Sequence, residues 1–200
     1  MDGFETLLTL CLGVGLSAAC GFRVFVPMMI LSLASRSGHL VLASGFEWIG
    51  STPALTVFIV ATILEVGAYY IPWLDNLLDG IAAPTAVVAG SVVTASVVAD
   101  VSPLMQWTMA LIAGGGAAGA VQAGTTLVRT ASTAGTGGLA NPVVSTAELG
   151  GSLLMSAMAV FVPLLAVGLA VGVVGYVGFK FYGRRTSSVG REAMEQTFEP

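Results

Sequence analysis

The chain has 200 residues, of which 56% are hydrophobic and 9% are charged, and its net charge is -4. Soluble domains carry about 25% charged residues, so the composition excludes a soluble globular protein, and the charge balance argues against nucleic acid as a partner. A spanning helix needs about 20 apolar residues, which leaves room for about five spans. We therefore expect one all-α, polytopic membrane bundle in a lipid bilayer.

The first apolar segment, residues 4–34, is too long for one straight span. A straight helix of that length would measure about 46 Å, against a hydrocarbon core of about 30 Å. The segment contains several glycines, Pro27 and the charged Arg23, so we predict a bent or broken spanning element. No Lys or Arg precedes it, and we expect it to stay in the membrane rather than to be removed as a signal peptide.

The second segment is predicted to start near Pro53, because proline suits the first turn of a helix. It carries Glu65 late in its course and ends before the next proline. Residues 73–79 follow, with leucines on one helical face and Asp75 and Asp79 on the other. This pattern predicts a short amphipathic helix at the membrane surface.

The third and fourth segments are predicted at residues 81–98 and 104–128, and the fourth ends at Arg129. Residues 130–141 are neither charged nor strongly apolar. We expect them to form a loop, either outside the membrane or re-entrant.

The fifth segment has a clear helix start, since Asn141 can cap a helix whose first residue is Pro142. It carries Glu148 and runs to about residue 178. A straight helix of that length would measure about 55 Å. It must therefore kink at Pro163, tilt strongly or begin outside the bilayer.

Basic residues predict the orientation of the protein, because cytoplasmic loops carry an excess of Lys and Arg. Four of the seven basic residues lie near the end of the chain: Lys180, Arg184, Arg185 and Arg191. We therefore expect a transmembrane domain over residues 1–179 and a cytoplasmic tail over residues 180–200, in a bacterial inner membrane. Five spans would then place the N-terminus outside.

Four charges lie at or near membrane depth: Arg23, Glu65, Arg129 and Glu148. Each costs roughly 2.5–3.5 kcal/mol at a helix centre, unless it is paired or faces a polar cavity. Two interpretations stay open, a polar pathway or ion site near mid-membrane, and structural pairs Arg23–Glu65 and Arg129–Glu148 that lock the bundle. A third is that the charged groups reach the membrane surface.

The order of these residues permits an inverted repeat, because an arginine precedes a glutamate twice and three spans separate the equivalent segments. A rival match exists, since VFVP occurs at residues 24–27 and again at 160–163. In a pathway, the helix N-terminus at Asn141 and Pro142 would face the solute.

Asp75 and Asp79 form a separate candidate site, because carboxylates four residues apart on a helix can hold a divalent cation. The alternative is a solvated face of an interfacial helix. One histidine and two cysteines provide no zinc cluster, and we expect no cofactor.

Three runs carry a family resemblance: GLSAACGFRVFVP, EVGAYYIPWLDNLLDGIAAPTAVVAG and GGLANPVVSTAELGGS. In these runs, over about residues 5–175, the chain resembles an uncharacterised bacterial membrane family, the domain of unknown function 4126. The resemblance implies a small multi-helix inner-membrane protein and no known activity. It draws attention to the residues within the runs: Arg23, Glu65, Asp75, Asp79, Asn141, Pro142 and Glu148.

We expect the protein to be a small transporter or channel for a small solute or ion rather than an enzyme. Glu65 and Glu148 would titrate or coordinate, and Arg23 and Arg129 would be their partners or an anion site. The alternatives are a structural subunit of a larger membrane complex and, third, a metal-dependent membrane enzyme. Small residues four apart, such as Gly116 and Ala120, allow helices to approach closely and fit a homo-oligomer.

Overall fold

The computed structural model describes residues 3–172 and 175–176, so the predicted tail over residues 180–200 lies outside the described residues. The described part is all-helical. Its helices are α1 (Gly3–Cys20), α2 (Phe25–Arg36), α3 (Thr52–Ala68), α4 (Pro72–Val97), α5 (Pro103–Met109), α6 (Gly116–Thr136), α7 (Asn141–Phe161) and α8 (Pro163–Gly172). A 3-10 turn, Glu47–Gly50, precedes α3, and a π-helical segment, Ala110–Gly115, joins α5 to α6.

Three helices are long and apolar enough to cross a membrane: Leu77–Val97, Pro103–Thr136 and Asn141–Phe161. Shorter apolar helices accompany them, α1, α2, α3 and α8 among the described residues. The predicted all-α membrane bundle is therefore confirmed. Local signals set the helix starts, because Ser51 and Ser102 each accept a hydrogen bond from the backbone N–H three residues on, and a proline lies in each first turn.

The first apolar segment is broken, as predicted, but it does not continue across the bundle. The contacts of α7 show the course of α1 and α2, the two helices on either side of the break. Its start lies at the break, where Arg23 bonds the Ser145 carbonyl at 3.0 Å. Toward its end, α7 lies beside both helices, because a Cβ at Gly15, in the second half of α1, would be 2.9 Å from Ala159, and His39, just after α2, contacts Phe161.

Helices α1 and α2 therefore form a re-entrant hairpin, which we call the tip hairpin, and residues 21–24 are its tip. The packing of α3 agrees with this geometry. Glu65, near the end of α3, contacts the start of α2, and Thr52, at the start of α3, accepts a hydrogen bond from Arg36 at the end of α2. The N-terminal end of α1 and the C-terminal end of α7 thus lie at the same end of the bundle, which we call the Arg36 end.

Small residues allow the tip to be buried. A Cβ added at Gly21 would lie 2.5 Å from the carbonyl oxygen of Ala118 and 2.6 Å from the Cβ of Val121, so only glycine fits against α6. Lower in α1, Ser17 donates to the carbonyl oxygen of Gly90 at 2.6 Å and bonds the Thr94 hydroxyl at 2.8 Å. These contacts hold α1 between α4, α6 and α7.

Two predicted elements are wrong. The expected interfacial helix at residues 73–79 is the first part of α4, which continues without a break to Val97. A single Gly80 costs a helix only about 1 kcal/mol and does not end it. Residues 130–136, expected in a loop, are the last turns of α6, which ends where Gly137 takes a left-handed φ of 63°.

The fifth segment begins at Asn141 and breaks at Pro163. A kink at this proline is one of the three arrangements that we expect for so long a segment. Helix α7 ends at Phe161, Val162 leaves helical geometry with φ -142° and ψ 69°, and α8 starts at Pro163. A proline has no N–H to continue the helical hydrogen bonds, which accounts for the break.

The re-entrant course of α1 and α2 makes a labelling prediction. Val41, Leu104 and Leu139 are 86%, 81% and 87% exposed. In a chain with Cys11 and Cys20 replaced by serine, we expect single cysteines at 41 and 104 to react with a membrane-impermeant maleimide from one side of oriented vesicles, and a cysteine at 139 to react from the other. Labelling of positions 41 and 104 from opposite sides would contradict the hairpin.

A second prediction concerns the tip. Gly21→Ala should lower the unfolding midpoint in mixed detergent micelles, because the added methyl group meets the α6 backbone. Gly67→Ala in α3 is the matched control, since nothing lies within 4 Å of a Cβ there, and alanine favours a helix. Equal midpoints for the two variants would show that the tip does not pack against α6 as described.

Candidate functional site

The central contact of the site joins α6 to α7. Arg129 donates from Nε to Oε1 of Glu148 at 2.9 Å and from Nη2 to the other carboxylate oxygen. The side chains are 5% and 7% exposed. This is the two-pronged geometry that makes an arginine–carboxylate pair strong, and it confirms the Arg129–Glu148 pairing that sequence order suggested.

Arg23 reaches the same carboxylate from the tip of the hairpin. Its Nη2 lies 3.4 Å from Oε2 of Glu148, and its side chain is 1% exposed. Ser145, one turn before Glu148, bonds both arginines, because its carbonyl oxygen accepts from Arg23 and its hydroxyl from Arg129, each at 3.0 Å. We call Arg23, Arg129 and Glu148 the charge cluster.

Glu65 does not pair with Arg23, contrary to the alternative in which these two residues lock the bundle. Its two carboxylate oxygens accept hydrogen bonds from the backbone N–H groups of Val24, at 2.8 Å, and Phe25, at 3.1 Å. The first N–H groups of a helix have no partner within it, and Val24 provides no side-chain cap for α2. Glu65 therefore caps α2 from a different helix.

Tyr69, the residue that follows α3, is also part of the site. The Arg23 guanidinium lies 3.8 Å from the centre of its ring and that of Arg129 lies 4.4 Å from it. Both distances are within the range of cation–π attraction. The available signal was spacing, since Tyr69 follows Glu65 by four residues and so shares its helical face.

The two candidate metal ligands have different outcomes. Asp79 lies with Oδ1 3.6 Å from Nη1 of Arg129, and its side chain is 29% exposed, so it extends the charge cluster toward the surface. The side chain of Asp75 lies outside the described residues. Within the described part of the chain, no three His, Cys, Asp or Glu side chains come together as a metal site.

The predicted capping role of Asn141 is wrong. Asn141 is the first residue of α7 rather than its cap, and its side chain bonds the hydroxyl of Thr133 on α6, at 3.3 to 3.4 Å. Pro142 lies in the first turn, as predicted. Because Glu148 lies two turns further along α7, the start of this helix is set apart from the charge cluster, and the helix start that meets the site is that of α2.

A cavity of about 400 Å³ adjoins the tip. Val24, Phe25, Glu65 and Tyr69 line it on the side of the site, together with Gln122 of α6, and most of the remaining wall is apolar. The backbone groups that Glu65 caps are therefore at the edge of open space, whereas the charge cluster is packed in direct contact. No sequence pattern predicts this cavity, because it lies between residues that are far apart along the chain.

The fold and the site define the class: a polytopic helical membrane protein with a re-entrant hairpin that ends at a buried charge cluster. The chain belongs to the family described as Domain of unknown function (DUF4126), whose model matches residues 10–181. This match confirms the suspected family and includes every helix from the middle of α1 onward. No curated protein and no solved structure matches the chain.

The charge cluster predicts a large effect of one neutral substitution. Glu148→Gln would leave two buried arginines without their anion, and loss of one partner from a buried ion pair costs about 3–5 kcal/mol. We expect the free energy of unfolding in mixed micelles to fall by about that amount. Glu47→Gln, in an exposed turn, is the control, and an equal effect of both substitutions would contradict a structural role for the Glu148 carboxylate.

Proposed function

We propose that this protein is a small transporter or channel of the bacterial cytoplasmic membrane, and that a small solute or ion passes at the tip of the re-entrant hairpin. The tip itself carries this proposal. Non-helical backbone is tolerated at membrane depth only where it is buried in protein or lines a water-filled cavity, and interrupted helices at mid-membrane are the binding elements of many transporters. Here the interruption lies beside both a cavity and buried charge.

The two glutamates have different roles in this proposal. Glu148 is held by two guanidinium groups, so its carboxylate is the fixed anion that positions Arg23 and Arg129. Glu65 is held by two backbone N–H groups and lines the cavity, so it is the acid that can exchange partners. We assign binding or titration during transport to Glu65, and a positioning role to Glu148.

We also propose an orientation. The Arg36 end of the bundle faces the cytoplasm, because Arg36 lies there and the basic residues of the tail follow α8 in the sequence. The N-terminal end of α1 lies at that same end. This proposal has a cytoplasmic N-terminus, in contrast to the external one expected from five spans, and it places Asp79 toward the opposite side.

A homo-oligomer is part of the proposal. Gly116 and Ala120 lie exposed on one side of α6, and nothing lies within 4 Å of a Cβ built at Gly116. In a membrane, small residues four apart let two helices approach closely. This side of α6 is the candidate contact between copies.

The second candidate function is a structural subunit of a larger membrane complex. One observation favours it, since the buried carboxylate of Glu148 contacts the guanidinium groups of both Arg23 and Arg129 directly. This candidate requires no flux by the isolated protein, and it requires a larger partner to co-purify with it.

Flux in proteoliposomes distinguishes these candidates. We expect purified protein to pass at least one member of a panel of small ions and neutral solutes, and Glu65→Gln to change that rate by about tenfold or more, since the exchanging acid is lost. Glu47→Gln should leave the rate unchanged.

A flux that persists unchanged in Glu65→Gln would contradict the proposed role of Glu65 in binding or titration. If no member of the panel shows flux and a larger partner is retained through purification, the transporter proposal is wrong and the structural subunit is favoured. Size-exclusion profiles of each variant verify that a lost flux is not a lost fold.

A further inference from the structure

The cavity beside the tip is open toward the lipid between α3 and α4. Two of its lining residues, Leu64 of α3 and Ile81 of α4, are 66% and 54% exposed, which is too much for residues enclosed within the bundle. Helix α3 packs mainly against α2, so it does not close the gap beside α4. The α4 side of this gap belongs to the helix Leu77–Val97, which is long and apolar enough to cross a membrane. A molecule dissolved in the hydrocarbon layer can therefore reach the cavity from the side.

The size and lining of the cavity suit a small organic molecule. Its volume of about 400 Å³ falls within the range of roughly 300–1,000 Å³ that is typical of ligand pockets. Its wall is mostly apolar, with few polar side chains, among them Glu65, Thr85 and Gln122. An apolar wall cannot replace the water shell of an inorganic ion. The expected occupant therefore has an apolar body that fills most of the space.

Glu65 adds a negative charge to the wall of this cavity. Arg129 pairs with Glu148 and Asp79, and Arg23 lies against Glu148, so the two arginines are matched by two carboxylates. Glu65 is held by two backbone N–H groups and by no ion pair among the described residues. With these five groups ionised, two positive and three negative charges leave one negative charge. A monovalent cation beside Glu65 restores neutrality.

The surroundings of Glu65 can accommodate a cationic group. A carboxylate offers about four lone-pair positions, and the hydrogen bonds from the start of α2 use two of them. The rings of Phe22 and Phe25 also line the cavity, and aromatic faces attract quaternary ammonium groups. The ring of Tyr69 already lies against Arg23, which leaves Phe22 and Phe25 as the rings available to a ligand.

We propose that this cavity is a binding site for a lipophilic monovalent organic cation, which enters from the membrane between α3 and α4. Its ammonium group lies beside the carboxylate of Glu65, and its apolar body lies against residues such as Leu64, Ala68 and Leu78. Glu65 keeps its two N–H bonds, so it holds the start of α2 and the ligand at the same time. This inference rests on the proposed transport function and names its substrate class.

A lipid acyl chain is the competing occupant, since it would fill the same apolar wall. It would leave the charge of Glu65 without a counter-ion inside the cavity, and burial of an unpaired charge is costly. The charge of the ligand therefore separates the two occupants. A cation should be preferred over a neutral molecule of the same shape, and this preference should depend on Glu65.

Equilibrium dialysis of the purified full-length protein in a nonionic detergent at neutral pH measures this preference. The probes are benzyltrimethylammonium and neopentylbenzene, which has a carbon atom in place of the charged nitrogen, and protein-free micelles give the background. We expect the cation to bind with a Kd at least about tenfold below that of the neutral probe. Glu65→Gln should abolish this difference, because the amide keeps the shape and an N–H acceptor but not the charge. Glu47→Gln should behave like the unmodified chain.

Ala61→Phe tests the location of the ligand and leaves the carboxylate in place. Ala61 lines the cavity, so a phenyl group there takes space from the ligand, and the Kd of the cation should rise by about tenfold. Ala83→Phe is the matched control, since Ala83 is exposed on α4 and does not line the cavity. Size-exclusion profiles verify that each variant is folded, and if Glu65→Gln is not, the comparison of the two probes and Ala61→Phe still decide the proposal.

The other results separate this inference from the transport proposal. No binding of the cation by the unmodified chain, or equal binding of the two probes, overturns the cation site. Binding that is unchanged in Glu65→Gln or in Ala61→Phe overturns it as well, because the cation then lies elsewhere. If the cation does not bind but Glu65→Gln alters the flux of another solute in proteoliposomes, the transport function stands and this inference fails. If the cation binds as expected and no flux of it or of the panel is found, the binding site stands and the transport proposal fails.

Discussion

The Glu148 carboxylate is the interaction on which the rest of this structure depends. It is shared by Arg129 of α6 and Arg23 of the hairpin tip, so one anion joins three elements that are more than 100 residues apart at the extremes. In a low-dielectric interior, either guanidinium without this partner would be strongly unfavourable. Ser145 adds a hydrogen-bond acceptor for each arginine. The two guanidinium groups also lie against the ring of Tyr69. The tip can lie inside the bundle only because these groups satisfy its charge.

A second constraint is the exposed backbone at the tip. A chain that turns back inside a membrane leaves N–H groups without a helical partner, and lipid offers none. Glu65 satisfies two of them from α3. The turn must also fit against α6, which is why position 21 is glycine: the carbonyl of Ala118 occupies the place of its Cβ. Residues 21–24 therefore combine a paired charge, capped backbone N–H groups and a close fit against α6.

The sequence predicted the class of fold and the residues of the site better than their geometry. So few charges lie in an apolar chain that Arg23, Glu65, Arg129 and Glu148 stand out, and the pairing of Arg129 with Glu148 follows from the two helices that flank a short turn. The partner of Arg23 could not be predicted. A kinked span and a re-entrant hairpin share the same local signals, and the direction of α2 after the break depends on its packing against α3 and α7. The inverted repeat stays a prediction, with Arg23 in a turn and Arg129 within a helix.

The difference between the two glutamates bears most directly on mechanism. Glu148 cannot leave its position without stranding two cations, so a cycle that moved it would break the bundle. Glu65 is held by two backbone N–H groups and by no ion pair among the described residues, so its departure would strand no cation. In the proposed transport function, the carboxylate that exchanges partners and the carboxylate that holds the bundle together are therefore different residues. The hairpin tip contacts both carboxylates, so the start of α2 is connected through Arg23 and Glu148 to α6 and α7.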